Sequence, residues 1–201
     1  MDINIFFQIA ILIVSVMAHE VAHGAMAYAF GDSTAKYQGR LTLNPLKHID
    51  WFGSVLVPFI LIATNAGFVF GWAKPVPYNP YNLRNRRVGE FMVSIAGIAT
   101  NFLIAVAFAI ILRFGLAFGL SVETVSLIGY IIMINLVLAV FNLVPIPPLD
   151  GSKILMSFIP YRYERFMQSI EKYGFIVLIA FILFFSSIVG VVVGWLFKLL
   201  V

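Results

Sequence analysis

Two histidines four residues apart, with a glutamate beside the first, form the side-chain group best suited to chemistry: His19-Glu20-Val21-Ala22-His23. On an α-helix, positions i and i+4 lie on one face about a turn apart, so imidazoles spaced this way can share one tetrahedral metal ion. Glu20 then projects beside them, placed to take a proton from a metal-bound water. Zinc lowers the pKa of such a water toward ~7, which supplies hydroxide at neutral pH. Read blandly, the three are polar residues packed against other helices, or a chance match to a short pattern. Their setting argues otherwise, because Glu20 is the only charged residue in 5–30. An ionisable side chain at mid-bilayer costs about 2.5–3.5 kcal/mol on insertion scales, and such residues are functional by default.

Two imidazoles do not complete a catalytic zinc site, which usually takes three protein ligands and keeps one position open. Acidic residues in apolar surroundings are scarce here. Asp150 stands out at the end of an uncharged run, in Asn142-Leu143-Val144-Pro145-Ile146-Pro147-Pro148-Leu149-Asp150-Gly151. Its prolines must break the helix, since each removes a donor and clashes with the preceding turn. Gly151 then permits close backbone approach. The alternative is an ordinary helix end with an acidic N-cap on the next helix. That explains Asp150 but leaves a polar Asn142 in an apolar run without a purpose.

The elements that must position these residues are membrane helices. Of 201 residues, 62% are hydrophobic and 11% charged, where a soluble domain carries roughly 25% charged residues. Mean hydropathy is +1.01. The apolar residues come in long runs, several reaching the ~20 residues that a bilayer core requires. The net charge of +4 comes from basic residues between those runs, as membrane topology requires, and not from a basic face. A nucleic-acid partner is therefore excluded. The absence of cysteine removes disulfides and thiolate metal sites. Ala25-Met26-Ala27 resembles a signal-peptide cleavage site, but the start has no Lys or Arg and the apolar run is long, so a retained span is expected.

Uncharged runs at 5–30 (Glu20 apart), 91–112, 124–149 and 173–197 are each long enough to span. The run 51–73 is broken by Gly53, Pro58, Asn65, Gly67 and Gly71. The basic residues fall in three loops: Lys36, Arg40 and Lys47; Lys74, Arg84, Arg86 and Arg87; Lys153, Arg162, Arg165 and Lys172. Placing all three on the cytoplasmic side requires 51–73 to enter the membrane and return, or to lie at its surface. The expected fold is an all-α polytopic membrane protein, one domain over 1–201. It has four full transmembrane helices, a re-entrant or interfacial segment at 51–73, and a short β-hairpin near 36–45. The hairpin rests on the polar–apolar alternation of Gly39-Arg40-Leu41-Thr42-Leu43-Asn44-Pro45. This topology puts the ends of the first helix and of the run before Asp150 in the same, cytoplasmic, half of the bilayer.

An HExxH in the first core helix, followed by Asn-x-x-Pro-x-Pro-x-Leu-Asp-Gly, resembles the site-2 protease family of intramembrane zinc metalloproteases. The matching positions are His19, Glu20 and His23, then Asn142, Pro145, Pro147, Leu149, Asp150 and Gly151. The 39–45 stretch and Ala73-Lys74-Pro75-Val76-Pro77 are similar to compact prokaryotic members. The resemblance implies one Zn2+ per chain, held by His19, His23 and Asp150, with Glu20 as general base. It implies a transmembrane protein as substrate, cut within or beside its membrane segment, with Asn142, Pro145 and Pro147 holding an unwound strand. Asn101 is grouped with these. It follows Gly97 in a stretch where the family usually carries Gly-Pro and this chain has Ile98. No PDZ or CBS module is recognisable.

A non-proteolytic reading, an ion transporter or a pseudoprotease, is disfavoured by the lack of a polar path outside the site and by the intact motif. His48 reads as a surface or interfacial loop residue, and Trp51, Trp72 and Tyr173 as interfacial anchors. Gly115 with Gly119, and Gly190 with Gly194, have the spacing of close helix contacts. That spacing suits a homodimer face or, more simply, packing within one chain.

Overall fold

The computed structural model describes residues 5–64, 74–117, 119–160 and 163–201. Four long helices dominate: α1 (Ile5–Ala29), α4 (Arg86–Ala117), α5 (Val122–Leu143) and α7 (Glu164–Leu200). Each contains a stretch long and apolar enough to cross a membrane, at Phe6–Ala29, Arg86–Gly115, Val122–Leu143 and Ile170–Leu200. A helix satisfies its own backbone polar groups, which is why such runs fold this way where no water is present. Among the described residues, three short α-helices complete the set: α2 (Thr34–Tyr37), α3 (Val57–Ala63) and α6 (Asp150–Phe158).

α4 is the central element, packed against α1, α5 and α6, while α7 leans on α5. The main core interleaves Ala105, Ala109 and Leu112 of α4 with Ile128, Ile132 and Leu136 of α5 and with Val189 and Val193 of α7. The alanines let the α4 and α5 backbones approach closely, as small residues do between membrane helices. The outer face of α7 is bare, with Phe184 75% and Leu183 70% exposed. An apolar face of that extent needs lipid or another helix against it. A Cβ at Gly115 would strike Leu120, so that glycine serves packing within the chain, whereas Gly119, Gly190 and Gly194 face nothing within 4 Å among the described residues.

α5 starts with Ser121 capping the amide of Thr124 and ends before Pro145, which disfavours helix at the residue ahead of it. The chain then turns within a few residues and opens α6 at Asp150. Gly151 is required at that corner, because a Cβ there would run into the carbonyl groups of Leu143 and Val144.

The described residues contain no strand, so the hairpin expected near 36–45 is not formed. Thr34–Tyr37 is helical, Gly39 turns the chain with φ of 62°, and Pro45–Lys47 is a 3-10 turn. The alternation arises from groups satisfied one by one. Arg40 points inward and donates to the carbonyls of Lys74 and Pro75 at 2.8 and 3.2 Å, and Asn44 caps the amide of Leu46. His48 is buried rather than at the surface, its Nε2 donating to the Thr42 carbonyl at 2.8 Å. Trp51 and Tyr173 are exposed, as interfacial anchors would be.

Of the segment 51–73, Trp51–Leu56 is a π-helical stretch that continues into α3. Positions 65–73, with Trp72, lie outside the described residues. Its two flanks meet, since the amide of Lys74 donates to the carbonyl of His48 at 2.9 Å. From Lys74 to Asn79 the chain runs without regular structure, and Asp32 fastens its far end. This fully enclosed carboxylate accepts from the amides of Thr34 and Asn79, the Thr34 hydroxyl at 2.6 Å and the Asn82 side chain at 2.9 Å. Burial alone would raise its pKa. The bonds from Thr34, Asn82 and Asn79 outweigh that and hold it below the usual carboxylate value.

A carboxyl depressed on folding stabilises the native state above its unfolded pKa of about 3.9 and loses that contribution as pH falls through the lower folded value. Asp32→Ala should therefore lower thermal stability in detergent at pH 7 by about 1–2 kcal/mol, since it leaves several part-buried donors without their acceptor. The gap from wild type should narrow below about pH 4.

Candidate metal centre

His19 and His23 sit on successive turns of α1, and Asp150 opens α6, 131 residues beyond His19. The Asp150 Oδ2 is 3.0 Å from the Nε2 of each histidine, and the two Nε2 atoms are 3.0 Å apart. Three ligand atoms thus form a near-equilateral triangle among buried residues. Ligands bonded to zinc at about 2.0–2.2 Å in a tetrahedron lie roughly 3.3 Å apart, so this triangle is close to the base of such a site. Among the described residues no other group of His, Cys, Asp and Glu gathers this way.

The surroundings suit a cation. The Nδ1 of His23 donates to the carbonyl of Val93 at 2.7 Å, which turns the lone pair of its Nε2 toward the triangle. Such an outer bond is the usual companion of a metal-bound imidazole. The Asp150 carboxylate supplies the third, oxygen, corner of the triangle. Gly97 of α4 forms the floor. A Cβ there would lie 2.6 Å from His19 Cε1 and from His23 Nε2, inside the rings' own volume. The set of two nitrogens and one oxygen, with an open side, fits a catalytic zinc.

The open side gives onto a cavity of about 160 Å³, lined among others by Glu20, Tyr78, Asn142, Pro148 and Lys153. The Oε2 of Glu20 accepts from the amide of Val76 at 2.8 Å, which fixes the carboxylate against the 74–79 segment. Of the residues expected at the site, His19, Glu20, His23, Asp150 and Asn142 come together there. Asn142 is half-buried, its Nδ2 donating to the Leu138 carbonyl at 2.9 Å. Pro145 is exposed, and Pro147 is buried, so close to α7 that a Cβ on Gly174 would strike it. Asn101 is wholly enclosed on α4 and is not among the cavity's lining residues.

Sequence reasoning missed Lys153 and Tyr78, which line the cavity with the lysine Nζ 5.6 Å from the tyrosine ring centre. Lys153 carried a signal, since it follows Asp150 by three residues and so shares its face of α6. Tyr78 carried none, because it lies in an irregular segment.

Residues 116–185 match the model of peptidase family M50. That stretch contains Asn142 and Asp150 but not the histidine motif. A Bacillus subtilis protein named "Putative zinc metalloprotease YwhC" is 41% identical over 195 residues, covering 94% of this chain and 84% of that one. Rip2 of Mycolicibacterium smegmatis, named in the same terms, is 29% identical over 173 residues, 85% of this chain and 64% of Rip2. Zinc metalloprotease MJ0392 of Methanocaldococcus jannaschii is 32% identical over 75 residues, 37% of this chain and 21% of that protein. No solved structure matches the chain.

Gly97→Ala should keep the helices but displace the imidazoles. Zinc affinity, measured by competition with a chelating dye, should fall at least ~10-fold, as it does when support around metal ligands is disturbed.

Proposed function

The chain belongs to peptidase family M50, and from that membership we propose that this membrane zinc metalloprotease cuts other membrane proteins within or beside their transmembrane segments. The single observation that carries the reading is the convergence of His19, His23 and Asp150 beside Glu20 among helices apolar enough to span a bilayer. The ligands are His19, His23 and Asp150, the general base is Glu20, and 1–201 works as one protease domain.

When bound, zinc polarises a carbonyl oxygen and acidifies a water. The chain's own residues do the rest. Glu20 takes the proton of the attacking water and passes it to the leaving amine, so that one carboxylate serves both halves of the hydrolysis. The bond from Val76 holds one oxygen of Glu20, and the residue lines the cavity. A substrate helix has no free backbone groups and must unwind before its carbonyl can enter. Asn142 and Pro148 on the cavity wall suit contact with such an unwound strand, with Pro145 and Pro147 shaping the segment that presents them.

The basic loops, with four helices apolar enough to span, support a site in the cytoplasmic half of a cell membrane crossed four times. The joined flanks of 51–73, with Lys74 bonded to His48 and to Arg40, support a segment that returns to the side it entered. The homodimer reading rests on Gly190 and Gly194, uncovered on α7.

Purified protein in detergent, given model transmembrane substrates, should cut them, while Glu20→Gln should hold zinc and lose activity by about 10²–10⁴-fold. A glutamine variant as active as wild type would remove Glu20 from the mechanism.

A further inference from the structure

The two histidines of the triangle are held differently. His23 hands its Nδ1 proton to the Val93 carbonyl. The Nδ1 of His19 is equally buried and has no protein partner among the described residues. A metal-bound imidazole almost always gives its second N–H to a carboxylate, a carbonyl or a water, and that bond sets the orientation of the ring.

The packing of α1 on α4 shows what lies beside this atom. His23 meets Val93, and both imidazoles meet Gly97, so the two helices run antiparallel across the site. The next turn along α4, at Asn101, therefore stands level with the previous turn of α1, at Ser15. Helical side chains lean toward the N-terminus, which sets the His19 ring over that level. Asn101 has 0% of its surface exposed, and neither its Nδ2 nor its Oδ1 meets a protein partner among the described residues. Across from it, Ser15 is buried and accepts from the Nδ2 of Asn135 at 2.9 Å, while the Oδ1 of Asn135 has no protein partner among the described residues. Unpaired polar groups enclosed in an apolar bundle are costly, so packing alone would favour leucine or alanine at these positions.

We infer that Asn101 is the positioning residue for His19, acting through one enclosed water. The water accepts from the Nδ1–H of His19 and donates to the Oδ1 atoms of Asn101 and Asn135, the three bonds typical of a buried water. This holds the Nε2 of His19 toward the metal, as the Val93 carbonyl does for His23. Asn101 thereby serves the metal and not the substrate. The inference rests on His19 being a zinc ligand.

The test compares zinc affinity, by dye competition in detergent, for wild type, Asn101→Leu and Asn101→Asp. The leucine variant should bind zinc about 10–100-fold more weakly, with the metal-free protein melting no lower than wild type. The aspartate variant, which keeps an acceptor oxygen of the same reach, should recover most of the loss. A leucine variant that binds zinc as tightly as wild type overturns the role of Asn101 alone. A wild type that binds no zinc overturns His19 as a ligand, and this inference with it. If the leucine variant does not fold, 15N-histidine spectra of zinc-loaded wild type decide. Magnetisation transfer between the His19 Nδ1 proton and an enclosed water supports the inference, and its absence overturns it.

Discussion

Three ionisable side chains held within 3.0 Å of one another inside an apolar bundle are the constraint on which the rest of this structure depends. Without a cation, gathering two imidazoles and a carboxylate in such surroundings brings desolvation with only partial return. With one, the same triangle becomes a binding site, and the helices around it need only keep the atoms in place. Two corners of the triangle come a turn apart from one helix. The third must arrive from far along the chain, and most of the irregular structure serves that delivery.

The chain solves the delivery by ending a span early. Pro145 stops α5 at the level of the histidines, Gly151 lets the corner close against the last carbonyls of α5, and Asp150 opens α6 pointing inward. On the opposite wall Gly97 supplies space by lacking a side chain. The 74–79 segment closes a further side, tied by Arg40 at one end and Asp32 at the other, and it holds Glu20 through Val76. A small cavity bounded by this strap, α4 and α6 lies beside the triangle.

The four long apolar helices were legible because composition alone decides whether a run is long and apolar enough to cross a bilayer. The gathering of three side chains was legible because helical periodicity places His19 and His23 together and because acidic residues are scarce enough to single out Asp150. What could not be read had local patterns with two solutions. The alternation at 39–45 fits a strand, yet Arg40 folds inward to distant carbonyls and Asn44 caps its own turn, so no ladder forms. His48 looked like a surface residue until its ring closed onto Thr42. The walls of the cavity supplied by Tyr78 and the Val93 carbonyl depend on tertiary approach, for which a single sequence holds no periodic trace.

The most direct measurement of the central claim is zinc K-edge X-ray absorption on the purified protein. Expected is one zinc per chain with nitrogen and oxygen ligands at about 2.0–2.2 Å. The outer-shell scattering of two imidazoles should appear in wild type and fall to one in His23→Ala. Protein that carries no zinc, or zinc whose imidazole signal is unchanged by that substitution, would contradict the site.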